Sequence, residues 1–292
     1  MNSTKIYDRR LKMVRIDNQI MDQERALYAS RGILVSNCRF EGPADGESAL
    51  KESEDVEVAD TVFALRYPLW HTKRFKLDRI RMNDTTRAPL WYAEDGKIID
   101  SKILGVKAIR ECRNITVEKS LIVSTEFGWK SSEITLKDTD ITSEYLFLDS
   151  RDITLDNVRM AGKYSFQYVQ DMTITNSVLN TKDAFWHTKN VTVTNSIVNG
   201  EYLGWYSEGL TLKDCKITGT QPLCYCKDLR LINCTMEGTD LSFEYSDVDA
   251  DITGSIDSVK NPRSGRIVAD SVGEIIMDSN IVDCRGEVII RK

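Results

Sequence analysis

Glu111, Lys130 and Asp149 follow one another at nineteen-residue intervals. This residue set can do chemistry. Paired carboxylates act as acid and base in glycoside cleavage. A lysine between them offers a lyase-type base, or a cation that holds a substrate carboxylate. If nineteen residues make one turn of a coil, Glu111 and Asp149 lie two rungs apart, roughly 9–10 Å between backbones. The bland alternative is a solvated charge ladder, favourable by a few tenths of a kcal/mol.

The same phase of the sequence is otherwise rich in rings. Read down the chain it holds His71, Tyr92, Glu111, Lys130, Asp149, Tyr168, His187, Tyr206, Tyr225 and Glu244. The preceding residue is Trp70, Trp91, Arg110, Trp129, Leu148, Gln167, Trp186, Trp205, Cys224 or Phe243, so all five tryptophans fall in one file. Rings that stack on pyranose C–H faces, interleaved with acids and a base, suit a sugar chain. An exposed row of them is a costly surface unless something binds it. His71, Tyr92, Arg110, Tyr168, His187, Tyr206 and Tyr225 are therefore the expected substrate-binding residues, beside Glu111, Lys130 and Asp149 as the expected catalytic ones. Two readings stay open for the tryptophans. Strict in–out alternation turns them into the core, with small residues such as Ser131 and Ser207 two places on. Otherwise they form an exposed sugar-binding strip. On the inward reading Arg110 is a buried guanidinium needing a carboxylate partner, and Glu111 faces the other way.

The two histidines both occur in Trp-His-Thr-Lys, at 70–73 and 186–189. Six coils separate them, about 29 Å by rung count, so they cannot share one catalytic centre or one metal. Cys224-Tyr225-Cys226 has poor spacing for a structural zinc site, and Cys38, Cys215 and Cys234 share an inward slot as small buried thiols. No metal ligand set and no cofactor are read from the sequence.

The element that must carry these residues is a repeat. Apolar-Thr-apolar triplets begin at Ile115, Ile134, Ile153, Met172, Val191 and Leu210, and Leu229-Arg230-Leu231 continues the series. Two residues beyond each triplet comes a second file, Lys119, Asp138, Asn157, Asn176, Asn195, Asp214 and Asn233. A fixed period of this size marks a solenoid whose repeats bury their apolar side by stacking. Alternation of apolar and polar residues, with abundant Thr, Val and Ile, specifies strands. The Asn/Asp file suits a corner with left-handed backbone, where stacked amides can hydrogen-bond along the axis. The expected fold is all-β, a single-stranded right-handed parallel β-helix of about twelve coils and of order 60 Å long. The same template fits Ile33-Leu34-Val35, Val56-Glu57-Val58 and Phe75-Lys76-Leu77, and again Ile275-Ile276-Met277. Between Leu231 and Met277 the pattern blurs, with Asn261 to Gly265 read as a loop. Residues 1–25 are expected to be an N-terminal extension or cap, residues 26–292 the β-helix, and Cys284 to Lys292 a C-terminal cap.

Asp and Glu number 45 against 39 Lys and Arg, an excess too mild to point to a nucleic-acid partner. No apolar run reaches the length of a membrane span, and the first residues do not resemble a secretion signal. The expected setting is cytoplasmic, with no nucleic-acid or membrane partner.

Three strings, Glu24 to Tyr28, Phe40 to Lys51 (with Gly-Pro-Ala-Asp-Gly-Glu-Ser-Ala) and Leu65 to His71, resemble a bacterial and fungal domain-of-unknown-function family with a pectate-lyase-like right-handed β-helix. The resemblance covers nearly the whole chain and implies the fold and its hand. It brings no reaction, substrate or catalytic residue. Gly-His-Gly does not occur, so the aspartate-trio chemistry of pectin-degrading relatives is not implied. Three functions follow. The first is a carbohydrate-active protein, a polysaccharide lyase or glycoside hydrolase if an enzyme, acting on an oligosaccharide or uronate-containing sugar. The second is a non-catalytic saccharide binder. The third is a structural or assembly scaffold.

Overall fold

The computed structural model describes residues 13–44 and 46–292. Within them the chain is all-β, a parallel solenoid. The first wall is a continuous ladder: Val14 pairs with Ile33, Ile33 with Val56, Val56 with Phe75 and Phe75 with Gly96. It continues through Ile115, Ile134, Ile153, Met172 and Val191. Each triplet is therefore one rung above the last, as the repeat requires. Its apolar members are buried and its threonines face out.

A corner follows. Asn157, Asn176 and Asn195 all have positive φ, which short polar side chains tolerate. Their amides form the expected ladder in part: Asn157 Nδ2 donates to Asp138 Oδ1 at 2.6 Å and Asn195 Nδ2 to Asn176 Oδ1 at 2.8 Å, whereas Asn176 Nδ2 turns to Asp156 Oδ1 at 2.9 Å. Asn233 repeats the bond to Asp214 at 2.7 Å. A second wall of short strands, such as Lys102–Ile103 and Ile197–Asn199, leads away from it.

The third wall is not a strand. From the rung of Arg25 to that of Leu241 every second residue has positive φ, as in Tyr164 (56°), Phe166 (64°) and Tyr168 (60°), or Tyr145, Phe147 and Asp149. Leu, Phe and Tyr are strained there by roughly 1–2 kcal/mol each. The rung-to-rung hydrogen bonds hold them. Tyr164 N–H donates to Lys182 O, Phe166 N–H back to Leu146 O, and Tyr168 N–H forward to Trp186 O, at 2.9, 2.8 and 2.9 Å. This backbone breaks in–out alternation. Leu146 and Phe147 are both buried, while Leu148 and Asp149 both face outward.

Several sequence expectations change. The ladder runs from Val14–Asp17 to Glu287–Ile290 in fifteen turns, not about twelve, which makes the rod about 70 Å long at the usual strand spacing. Residues 14–25 belong to the first coil rather than a cap: Arg25, Leu27 and Ala29 already show the alternating positive φ. The rest of that expected cap, and the first residues read for a secretion signal, lie outside the described residues apart from Met13. At the other end Glu287–Ile290 pairs with Ser264–Ala269 as a further rung, and Ser271–Ile276 pairs with Ser255–Lys260 in the second wall, not the first. The blurred stretch hides coils whose first-wall strands are Asp247–Ile252 and Ser264–Ala269.

Candidate functional site

The third wall carries the aromatic residues, and its geometry decides between the two tryptophan readings. The inward residue of each rung is the one before the tryptophan file: Leu69, Leu90, Ile109, Phe147, Phe166, Phe185 and Leu223 are buried. The tryptophans are not core residues. All five lie half-buried on the outer surface. Each indole Nε1 donates to a main-chain oxygen of the next rung: Trp70 to Ala88 at 2.6 Å, Trp91 to Lys107 at 2.7 Å, Trp129 to Tyr145 at 2.6 Å, Trp186 to Tyr202 at 2.6 Å and Trp205 to Gln221 at 2.8 Å. Every acceptor residue has positive φ. Gln167 takes the same role, its Nε2 donating to Asp183 O at 3.3 Å. The file is thus a row of side-chain plugs for the carbonyls that the left-handed corner leaves without a rung partner.

Arg110 belongs to this outer file. Its guanidinium lies 5.0 Å from the Trp91 ring centre and 5.2 Å from that of Trp129. With Trp70 stacked on Trp91 at 5.1 Å, the four side chains form one pile held by cation–π attraction. No buried carboxylate is needed, and Glu111 lies on the same side, 3.9 Å from Arg110 Nε.

The next file outward holds the residues expected to bind substrate. It is vertical: Glu111 N–H bonds Trp129 O, Lys130 N–H bonds Leu148 O, Asp149 N–H bonds Gln167 O and His187 N–H bonds Trp205 O. His71 stacks on Tyr92 at 4.7 Å. Tyr168, His187, Tyr206 and Tyr225 form one continuous stack, with centres 4.9, 5.0 and 4.7 Å apart and planes within 12°. Tyr168 is 50% and Tyr206 47% exposed, so this is an open aromatic ladder. Rings packed this way give one another most of their faces. What they present to solvent is largely edges and phenol hydroxyls, rather than the free faces the sequence suggested. The ladder ends on Tyr245, because an extra residue before Phe243 shifts Glu244 into the tryptophan file. Tyr225 N–H accordingly bonds Glu244 O.

Glu111, Lys130 and Asp149 occupy three consecutive rungs of the same file, all exposed. Lys130 makes no ion pair with either carboxylate among the described residues. Lys130 and Asp149 line a shallow open cleft of about 240 Å³ with Ser131, Ser150, Arg151 and Gln170, and Glu111 is not part of it. A larger cleft of about 610 Å³ lies along the late first-wall strands and touches none of these residues.

One file escaped notice in the sequence although it obeys the same step. At the corner before the tryptophans stand Lys107, Glu126, Tyr145, Tyr164, Asp183, Tyr202 and Gln221. Lys107 and Glu126 form an ion pair at 3.2 Å. Tyr145 stacks on Tyr164 at 4.8 Å. Trp129 meets Tyr145, and Trp205 meets Tyr202, edge to face at 6.3 and 5.7 Å. Asp183 interrupts the rings. It is only 9% exposed, and no hydrogen bond or ion pair among the described residues reaches its carboxylate. Burial pushes its proton affinity up, Lys182 opposing this and Glu201 adding to it.

Comparison with solved structures places the fold among extended β proteins. A surface adhesin of Streptococcus pneumoniae, PfbA, aligns over 81% of this chain and 86% of its own, with 8% identity and a TM-score of 0.54. A tailspike protein of Escherichia coli bacteriophage HK620, solved in complex with a hexasaccharide, aligns over 90% of this chain and 71% of its own, with 7% identity and a TM-score of 0.58. At such identities the likeness is one of fold. A sequence comparison with curated proteins finds no match. The family described as Protein of unknown function (DUF3737) matches residues 14–290, nearly every described rung of the helix, and this chain belongs to it.

Proposed function

We propose that this protein binds an oligosaccharide along its third wall, with the sugar chain running parallel to the solenoid axis. The observation that carries this reading is the continuous ladder Tyr168, His187, Tyr206 and Tyr225, exposed in its first three members and half-buried in the last. Hydroxyl and imidazole groups repeat along it once per rung, a comb of donors and acceptors for sugar hydroxyls. His71, Tyr92 and Arg110 extend the surface towards the N-terminal end. That a tailspike of similar fold was solved with a bound hexasaccharide supports the class of ligand. In the proposed cytoplasmic setting, short oligosaccharides or sugar conjugates are the intended ligands. Calorimetric titration with an oligosaccharide panel tests the reading. Tyr206→Ala is expected to lower affinity about tenfold, equivalent to about 1.4 kcal/mol. Absence of binding by the unaltered protein across the panel would leave the scaffold role.

Cleavage is a second reading, favoured by one observation: Lys130 and Asp149 share a cleft directly beside the ladder. In it Asp149 and Glu111 act as the acid–base pair and Lys130 as a base or carboxylate-binding cation. Turnover of a bound sugar that is unchanged in both Glu111→Gln and Asp149→Asn would end it.

A further inference from the structure

From Tyr164 to Tyr225 the three outer files of the third wall carry one formal charge, Asp183. The earlier rungs are different, with Lys107, Arg110, Glu111, Glu126, Lys130 and Asp149 within the same three files. A lone carboxylate in an otherwise neutral aromatic wall is expensive, and Lys182, its neighbour in the chain, offsets that only in part.

Its surroundings form a gap of definite size. Tyr164, Asp183 and Tyr202 are successive members of the corner file: Tyr164 N–H bonds Lys182 O, Asp183 N–H bonds Glu201 O and Tyr202 N–H bonds Thr220 O, at 2.9, 2.9 and 3.0 Å. Tyr164 and Tyr202 are thus two rungs apart, roughly 9–10 Å. A ring midway between them would stand about 4.8 Å from each, one rung spacing. In the rung of Trp205 a tyrosine ring, Tyr202, meets the indole edge to face, and Trp129 meets Tyr145 of the following rung in the same way. In the rung of Trp186 that tyrosine is replaced by the much shorter Asp183. The backbone of the gap is pinned on both sides, by Gln167 on Asp183 O and Trp186 on Tyr202 O.

We propose that this gap is a subsite for one neutral pyranose unit, its ring between Tyr164 and Tyr202 and its hydroxyls donating to the Asp183 carboxylate. The inference rests on the saccharide-binding reading and sharpens it by naming the ligand class. Sugar hydroxyls supply the donors the carboxylate lacks within the protein. A uronate brings a second negative charge beside Asp183 and Glu201, which Lys182 alone opposes because Lys163, over the Tyr164 ring, is paired with Glu144 at 3.4 Å, so it is disfavoured.

The test is calorimetric titration of the full chain with cellohexaose, maltohexaose and chitohexaose as neutral probes, and hexagalacturonate and hexamannuronate as anionic ones. At least one neutral probe is expected to bind, and the anionic probes at least tenfold more weakly. Asp183→Asn is expected to lower affinity for the neutral probe about tenfold. Asp183→Tyr, which restores the ring file seen at Tyr145, Tyr164 and Tyr202, should fold and lose binding. Thermal melting of both variants separates lost binding from lost folding. Neutral-sugar binding that is abolished by Tyr206→Ala but unchanged in both Asp183 variants would overturn the subsite and keep the wider reading. Tighter binding of a uronate would overturn the neutral class. No binding of any probe by the unaltered protein would overturn both.

Discussion

The indole Nε1 of Trp129 donates to the main-chain oxygen of Tyr145, one rung further along, at 2.6 Å. Tyr145 has a φ of 56°, so its carbonyl is turned away from the ladder that satisfies its neighbours. The indole occupies the position where a rung partner would otherwise stand, and its ring also receives the Arg110 guanidinium. Trp129→Phe keeps an aromatic face and removes only the donor. It is expected to destabilise the protein by about 0.5–1.5 kcal/mol. Trp129→Ala, which also removes the cation–π partner, should cost about 2 kcal/mol. Urea unfolding followed by circular dichroism measures both. Equal losses in the two variants would show that the ring, not the hydrogen bond, is what matters.

Asp183 predicts a pH effect of definite sign. Burial raises its pKa in the folded protein, so between the ordinary and the raised value the folded chain holds a proton that the unfolded chain has released. Stability from this group therefore falls as pH rises through that window. At neutral pH the ionised carboxylate is a burden that Asp183→Asn relieves. The variant is expected to melt higher than the unaltered protein at pH 7, and the difference should shrink at pH 4. A melting difference that grows on acidification would contradict this. A higher melting temperature together with weaker sugar binding in this one variant would tie the cost of the carboxylate to the proposed subsite.

How much of this wall could be read beforehand follows from what sets its conformation. The first wall and its corner were legible because Val, Ile and Thr prefer strands and Asn tolerates positive φ. Residue types and backbone agree there at Ile153, Thr154 and Asn157. The third wall was not legible in the same way. Nothing in Leu69, Phe147 or Phe166 favours left-handed backbone, and the rung-to-rung hydrogen bonds impose it. In–out alternation then fails, which is why the tryptophans and Arg110 lie outside. The vertical files needed only the nineteen-residue step, so Glu111, Lys130 and Asp149 do lie on successive rungs. The same step contained Tyr145, Tyr164, Asp183 and Tyr202, whose meaning depended on knowing that the corner faces the tryptophan edges.

The cysteines give a further check on the core. Six of the seven thiols are buried, and Cys284 is half-exposed. Burial pushes the Cys112 and Cys224 thiols up to about 12 and Cys226 to about 11. Thiolate, the reactive form, is therefore scarce at these sites. A disulfide-exchange reagent at pH 8 is expected to modify Cys284 alone in the folded protein and all seven after unfolding. Rapid native labelling of Cys112 or Cys226, located by mass spectrometry, would show that the coils open far more readily than this packing allows.

Gly128 tests the inward file of the third wall. Its neighbours in that file, Ile109 and Phe147, carry side chains at φ of 55° and 56°, so positive φ alone does not demand glycine. The space does. A Cβ on Gly128 would run into the Phe147 ring, which is packed edge to face on Phe127 at 5.8 Å. Gly128→Ala should therefore destabilise by about 1–3 kcal/mol through overpacking. Phe147→Leu, made in the same background, should return part of that loss, giving a coupling of about 0.5–3 kcal/mol in a double-mutant cycle. Strict additivity of the two changes would mean that backbone strain at position 128, and not the ring, sets the cost.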